Sequence, residues 1–217
     1  MNPALYDAWY DSPRGLWIGE VEYRLIERDL ALRPGMRVLD VGCGTGWFTR
    51  RLARLRDMEV SGVDIDAEWL DYARSRDSCA RYVQADALAL PFADNRFDAV
   101  LSIAALCFTS DWQRAIAEIV RVSGGRFAIG MLNRHSLLWH EKGRGGGSGA
   151  YRGAQWITPV ELKRCVMALP VANVCLKSAV FLPSGSLIAR VVERLLPSRL
   201  EVGGFLVLSG EKRADLV

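Results

Sequence analysis

Between Met36 and Met131 short apolar runs alternate with amphipathic segments. RVLDVG (37–42), EVSGVD (59–64), RYVQAD (81–86), FDAVLSI (97–103) and GRFAIGM (125–131) are bounded by Gly, Asp or Pro and predict five buried strands. The segments between them at 46–56, 66–76 and 111–122 predict helices. Asp66 and Asp111 are placed as N-caps, where a carboxylate accepts from orphan backbone N–H groups. Upstream, residues 18–32 read as an amphipathic helix that halts before Pro34-Gly35. Downstream, Thr158-Pro159 opens a helix to about Leu169, with Thr as cap and Pro in the first turn. Residues 171–182 and 204–210 supply the last strands. Between them 186–196 carries apolar pairs at 187/188, 191/192 and 195/196, one helical face. Packing on the sheet is the expectation for that face, and a membrane-seeking stripe is the other reading. Two stretches break the pattern: 1–16, and KGRGGGSG at 142–149.

Strand and helix alternating in this way imply parallel crossovers, and hence an α/β sheet with helices on both faces. The 217 residues suit one domain with appendages. We read 1–217 as a single domain: an N-terminal lid and helix (1–35), a ligand-binding core (36–131), a substrate-side loop (132–157) and C-terminal helices and strands (158–217). Half the residues are hydrophobic and 24% are charged, which excludes global disorder. Lys plus Arg exceeds Asp plus Glu by 28 − 25 = 3, too weak an excess to name a partner. The five cysteines are scattered with no CxxC pair and read as reduced thiols. The acidic, aromatic start lacks the form of a secretion signal, and the longest apolar run, 100–108, is too short to span a membrane. The expectation is a cytoplasmic protein with no membrane span.

Chemistry concentrates in Val38-Leu39-Asp40-Val41-Gly42-Cys43-Gly44-Thr45-Gly46. A strand enters three glycines at alternate positions and a helix follows, so the chain turns sharply and a ligand can approach bare backbone. The spacing is GxGxG, with Trp47 where the dinucleotide fingerprint needs its third glycine, and no Gly-Lys-Ser/Thr follows. Asp40 would repel a pyrophosphate but attract an ammonium group. Asp64 ends the second predicted strand, 64 − 46 = 18 residues after Gly46, where a carboxylate can accept from both ribose hydroxyls. A ligand with a ribose, an amine and no phosphate fits, and S-adenosylmethionine is such a ligand. Cys43 reads as a small side chain in a tight loop. Arg50, Arg51, Arg54 and Arg56 read as a solvated basic face.

VLDVGCGTG, GVDID and QADALALPFADNRFDAVLS, in this order, resemble the class I S-adenosylmethionine-dependent methyltransferases. The likeness is to the type 11, small-molecule branch that includes ubiquinone- and menaquinone-biosynthesis enzymes. It runs from about Arg37 to Met131, and YDAWYDSPRG and GGFLVLSGEK resemble parts of a related, poorly characterised subgroup. The resemblance implies a Rossmann-like, doubly wound, seven-stranded sheet. That sheet is mostly parallel, with the last strand antiparallel and inserted between strands five and six. It implies that Gly42, Gly44 and Gly46 form the cofactor turn, Asp40 holds the methionine end and Asp64 the ribose. Ile65 would pack on the adenine, Asp86 would accept from its amino group, Ala87 would give a backbone contact, and Ile103 would lie near the methionine moiety. An N-cap or turn role is the alternative for Asp86, and bracing the glycine turn is the alternative for Asp40.

Methyl transfer from a sulfonium mainly needs alignment, and positioning supplies roughly 7–11 kcal/mol. A general base adds only about 10²–10⁴-fold. Its weak candidates are His135 and His140, after the fifth strand; no Cys or carboxylate cluster completes a metal site with them, so no metal is expected. Tyr6, Trp9 and Tyr10 suit a lid over a cation, and packing on the sheet edge is the rival reading. The 143–149 glycine run reads as a substrate lid or an inert insertion. The chain reads Ser102-Ile103-Ala104-Ala105 after strand four, without the Asn-Pro-Pro-aromatic sequence of relatives acting on nucleobase or amide nitrogen. A small-molecule acceptor is therefore expected, with no nucleic acid. A protein or RNA methyltransferase and a non-catalytic cofactor-binding module are the alternatives.

Overall fold

A computed structural model describes residues 2–55 and 57–213. Seven strands form one sheet: β1 (Arg37–Val41), β2 (Glu59–Asp64), β3 (Arg81–Gln84), β4 (Phe97–Ile103), β5 (Ser123–Leu132), β6 (Val171–Ala179) and β7 (Phe205–Lys212). Their order is β3-β2-β1-β4-β5-β7-β6. β7 runs antiparallel to β5 and β6, and the neighbours from β3 to β5 are all parallel. The expected seven-stranded, doubly wound topology is therefore present, with β7 inserted between β5 and β6.

Helices α1 (Pro3–Trp9), α2 (Pro13–Leu30), α3 (Trp47–Leu55), α4 (Ala67–Arg76), α5 (Trp112–Val122), α6 (Pro159–Met167) and α7 (Leu187–Leu195) complete the fold. Strand residues alternate between two cores. Leu39, Val100, Phe127 and Ile129 face α5 and α6, with Ile116, Ile119, Leu162 and Val166. Val38, Leu101, Ala128 and Phe205 face α2 and α3, with Ile26, Leu30 and Leu52. The caps read from sequence are made: Asp66 accepts from Glu68 N and Asp111 from Arg114 N. Thr158 and Glu161 close a reciprocal capping box.

Three expectations need correction. The N-terminal stretch that breaks the apolar pattern is helical: Asn2 caps α1, and Ser12 with Pro13 starts α2 five residues before the expected boundary. Arg50 is not a solvated surface residue; it is 8% exposed and paired with Asp7. Its neighbour Arg51 pairs with Glu20 and lies over the Tyr23 ring, and Arg56 lies outside the described residues. The α7 apolar face does not pack on the sheet. Leu187, Ile188, Val191 and Leu195 are 81%, 71%, 54% and 76% exposed, and Ala189 is the buried residue of the helix.

Candidate active site

In an open parallel sheet the ligand crevice lies beyond the carboxyl ends of the strands where their order reverses. Here the reversal falls between β1 and β4. β1 leads into the glycine turn and β4 into Ala104-Ala105. All three turn glycines are left-handed, with φ of 73° at Gly42, 53° at Gly44 and 77° at Gly46. A Cβ on Gly42 would stand 2.2 Å from the Ala105 Cβ, so the two walls of the crevice meet there with no room for a side chain. On the far side a Cβ at Gly46 would stand 2.7 Å from the Tyr82 hydroxyl. Cys43 packs on Gly62 of β2, where any Cβ would meet its sulfur at 2.8 Å. Burial drives its thiol well above the ordinary cysteine range, so it is a packing residue.

Two carboxylates flank the turn. Asp64 closes β2, accepting from Gly44 N at 2.8 Å and Asp66 N at 3.1 Å, and so fixes the loop against the strand end. Asp40 is 2% exposed and accepts from Thr49 of α3 at 2.7 Å. Burial pushes its carboxyl up to about 7, against the opposing pull of the Thr49 bond, and the Asp64 charge adds to the rise. A pair of acids beside bare backbone, with the Arg50 of the following helix already paired with Asp7, disfavours phosphate and suits an amine and a ribose. These residues therefore fit S-adenosylmethionine. Ile65 is 65% exposed just past Asp64. Asp86 is exposed and accepts from Leu88 N at 2.9 Å, a turn-forming bond, with half-buried Ala87 beside it. Ile103 is buried at the end of β4.

The N-terminal helix is latched to this turn. Asp7, 6% exposed, accepts from Thr45 Oγ1 at 2.8 Å and from Arg50 Nη2 at 2.8 and 3.1 Å. Arg50 also donates to the Thr45 carbonyl, at 2.5 Å. The Tyr6 and Trp69 ring centroids stand 5.0 Å apart, and Tyr10 stacks on Trp47 at 4.4 Å. A Cβ on Gly44 would meet Trp69 at 3.2 Å, so this aromatic group sits directly beside the turn. The aromatic start packs beside the glycine loop on α3 and α4 and joins the core on that face of the sheet.

One further carboxylate escapes motif reading. On α2, residues 15, 18, 19, 23, 25, 26 and 30 are buried, and at 3.6 residues per turn Glu22 falls inside their arc. It lies within electrostatic reach of Tyr6, Tyr10, Tyr151 and Cys107, groups from the N-terminal segment and the loops after β4 and β5. Burial pushes its carboxyl up to about 8. The signal available in sequence is an acid inside an apolar stripe, between Ile18 and Ile26. The two histidines stand apart from this group. Both are exposed: His140 Nδ1 meets Arg144 at 2.6 Å, and His135 lies near Glu161 of α6. A cleft of about 900 Å³ opens on that side, lined by Trp112, Arg134, Trp139, Trp156, Glu161 and Arg164 and away from the glycine turn. Residues 139–151 fold into short helical turns beside it.

Residues 39–129 match a family model described as a methyltransferase domain. This part of the chain, which holds the glycine turn and β4, is thus similar to a methyltransferase domain. Among curated relatives, a malonyl-[acyl-carrier protein] O-methyltransferase of Erwinia pyrifoliae is 38% identical over 130 residues, covering 56% of this chain and 48% of that protein. A cycloartenol-C-24-methyltransferase of Arabidopsis thaliana is 34% identical over 119 residues, covering 49% and 35%. The chain thus spans about half the length, or less, of the curated relatives it matches. Among solved structures, a methyltransferase of Thermotoga maritima, described as a possible histamine N-methyltransferase, superposes with a TM-score of 0.72. Its identity is 23%, with 97% of this chain and 95% of that one covered. At that identity the likeness shows the fold alone. The methyltransferase match covers both walls of the crevice, from β1 to β5, and leaves α1, α2 and residues beyond β5 outside it.

Proposed function

We propose that this chain is a methyltransferase that binds S-adenosylmethionine at the Gly42–Gly46 turn and methylates a small molecule held between the N-terminal segment and the loops after β4 and β5. The observation that carries the reading is the acid-flanked turn of three left-handed glycines, shut by Ala105 on one side and Tyr82 on the other. When bound, the cofactor supplies an activated methyl group with its own leaving group. The chain's task is to hold and align.

In this reading Asp64 accepts from the ribose hydroxyls through lone pairs left free by Gly44 and Asp66. Asp40 steadies α3 through Thr49 and faces the methionine end with Ile103. Ile65 and Ala87 border the adenine, and Asp86 accepts from its amino group. Tyr6 and Trp69 close the outer side and exclude water. Glu22 takes the proton that an acceptor hydroxyl, amine or thiol loses, a role supported by its electrostatic reach to Cys107 and Tyr151 on the loops after β4 and β5. The exposed His135 and His140 have no such placement.

The relatives named above act on an acyl-carrier-bound malonyl group and on a sterol, so an acceptor outside the nucleic acids is the consistent choice. Incubation with S-adenosylmethionine and a panel of small hydroxyl, amine and thiol acceptors tests the function. Formation of S-adenosylhomocysteine that depends on one of them supports it. Turnover with RNA or protein in place of every small acceptor overturns it.

A further inference from the structure

The segment from α7 to β7 carries an apolar face that the fold leaves uncovered. At 3.6 residues per turn, Leu187, Val191, Leu195 and Ile188 span roughly a 100° arc, wide enough for an amphipathic helix's apolar side. The turn that follows also exposes Leu200 and Val202, at 41% and 52%. Isolated exposed leucines are ordinary; a short helix presenting Leu187, Ile188, Val191 and Leu195 together to water is not.

The exposed charge beside that face is mostly positive, with Asp11 its exposed acid. Both acids of the segment are already engaged. Glu193 accepts from Val180 N and Phe181 N, each at 3.0 Å, and Glu201 is held by Lys163. Arg194 and Arg199 remain exposed, and Arg194 falls next to Leu187 on the helical wheel. A groove of about 760 Å³ separates α7 from α2, and Arg24, Arg28, Arg190 and Arg194 line it. Its acids are Asp11, Glu20 and Glu193; Glu20 is engaged by Arg24 and Arg51. An apolar helix rimmed by arginines matches the boundary of an anionic bilayer, where aliphatic side chains enter the acyl region and guanidinium groups stay among headgroups. A second copy of the chain fits poorly, because the faces would bring arginine rims together with no exposed acid of this segment between them.

We propose that α7 docks the protein on an anionic lipid surface, with Leu187, Ile188, Val191 and Leu195 in the acyl boundary and Arg24, Arg28, Arg194 and Arg199 on the headgroups. The surface is joined to the N-terminal segment. Arg14 Nε donates to the Pro183 carbonyl at 2.7 Å and Arg190 Nη2 to the Pro13 carbonyl at 3.0 Å, so α7 abuts the α1–α2 junction. The lipid-facing helix therefore stands next to the element that covers the glycine turn. This inference does not depend on the acceptor being a lipid.

Cosedimentation of the full chain with phosphatidylcholine vesicles, with and without phosphatidylglycerol, tests it. The protein is expected to pellet with the anionic vesicles and to be released as salt rises. Ile188→Glu with Leu195→Glu should lower the bound fraction about tenfold or more, since both aliphatic side chains would otherwise leave water for the acyl boundary. Arg194→Glu with Arg199→Glu, both far from any core, should lower it several-fold with an unchanged melting temperature. Absence of binding to anionic vesicles, or equal binding by both double variants, overturns the proposal. So does a lipid-free dimer that Ile188→Glu with Leu195→Glu dissolves, which would assign the face to a second copy.

Discussion

At the scale of single residues, the turn is specified by what it cannot hold. Gly42 combines a φ of 73° with a neighbouring methyl at 2.2 Å from any added Cβ, so two penalties fall on one substitution. Gly42→Ala should lower the melting temperature and abolish cofactor binding. Adding Ala105→Gly should restore part of the stability by removing the clash while the backbone strain remains. No recovery in that double variant, by thermal melting, would locate the problem in φ alone. Glu22 and Asp40 make a second residue-scale prediction. Their folded-state values, about 8 and about 7, lie above ordinary values of 4.5 and 3.8, so folding takes up protons. Their contribution to stability is complete below about pH 4 and lost as pH rises through 7 to 8. Glu22→Gln should flatten the upper part of that decline in urea melts from pH 5 to pH 9. In turnover the same variant should cost about 10²–10⁴-fold in kcat with cofactor affinity unchanged. A full-speed Glu22→Gln enzyme would remove Glu22 as the proton acceptor.

At the scale of elements, the five strands and three helices between Met36 and Met131 are legible because each is a short apolar or amphipathic run with a cap or a turn at its end. The C-terminal elements are legible for the same reason, Thr158 and Glu161 above all. The N-terminal segment is legible only from residue 18 onward; α1 and the first turn of α2 are not. Its helices are seven and eighteen residues long, and the first is fixed by a contact far away in sequence, from Asp7 to Arg50 and Thr45. Periodicity within a helix carries no trace of such a partner, which is why Arg50 reads as solvated from the arginine spacing alone. The α7 stripe shows the converse: its pattern marks an apolar face, but not what the face meets. Breaking the latch with Asp7→Asn leaves Arg50 buried without its counter-charge, and removing one partner of a buried pair costs about 3–5 kcal/mol. Denaturant melts should show that loss, and limited proteolysis should show earlier cutting before Ser12. An unchanged midpoint would make the Asp7–Arg50 pair incidental to the stability of the lid.

At the scale of the whole molecule, the sheet order places the glycine turn and the end of β4 side by side at the reversal point, and the N-terminal helices close the outer side. The cofactor half of the site was readable because motif, strand end and turn coincide in three short runs of sequence. The proposed acceptor half was not, since the groups proposed for it, Glu22, Tyr151 and the loops after β4 and β5, are far apart along the chain. The central claim is that the acid-flanked turn binds S-adenosylmethionine through Asp64. Calorimetric titration of S-adenosylhomocysteine into the full chain and into Asp64→Asn tests it most directly, because Asn keeps an acceptor for the Gly44 N–H. Single-site binding by the unmodified chain is expected. The variant, with an unchanged melting temperature, should bind about 10–100-fold more weakly through loss of a charge-assisted bond worth about 1.5–3 kcal/mol. Equal affinity in the two proteins, or no binding to the unmodified chain, would contradict the account.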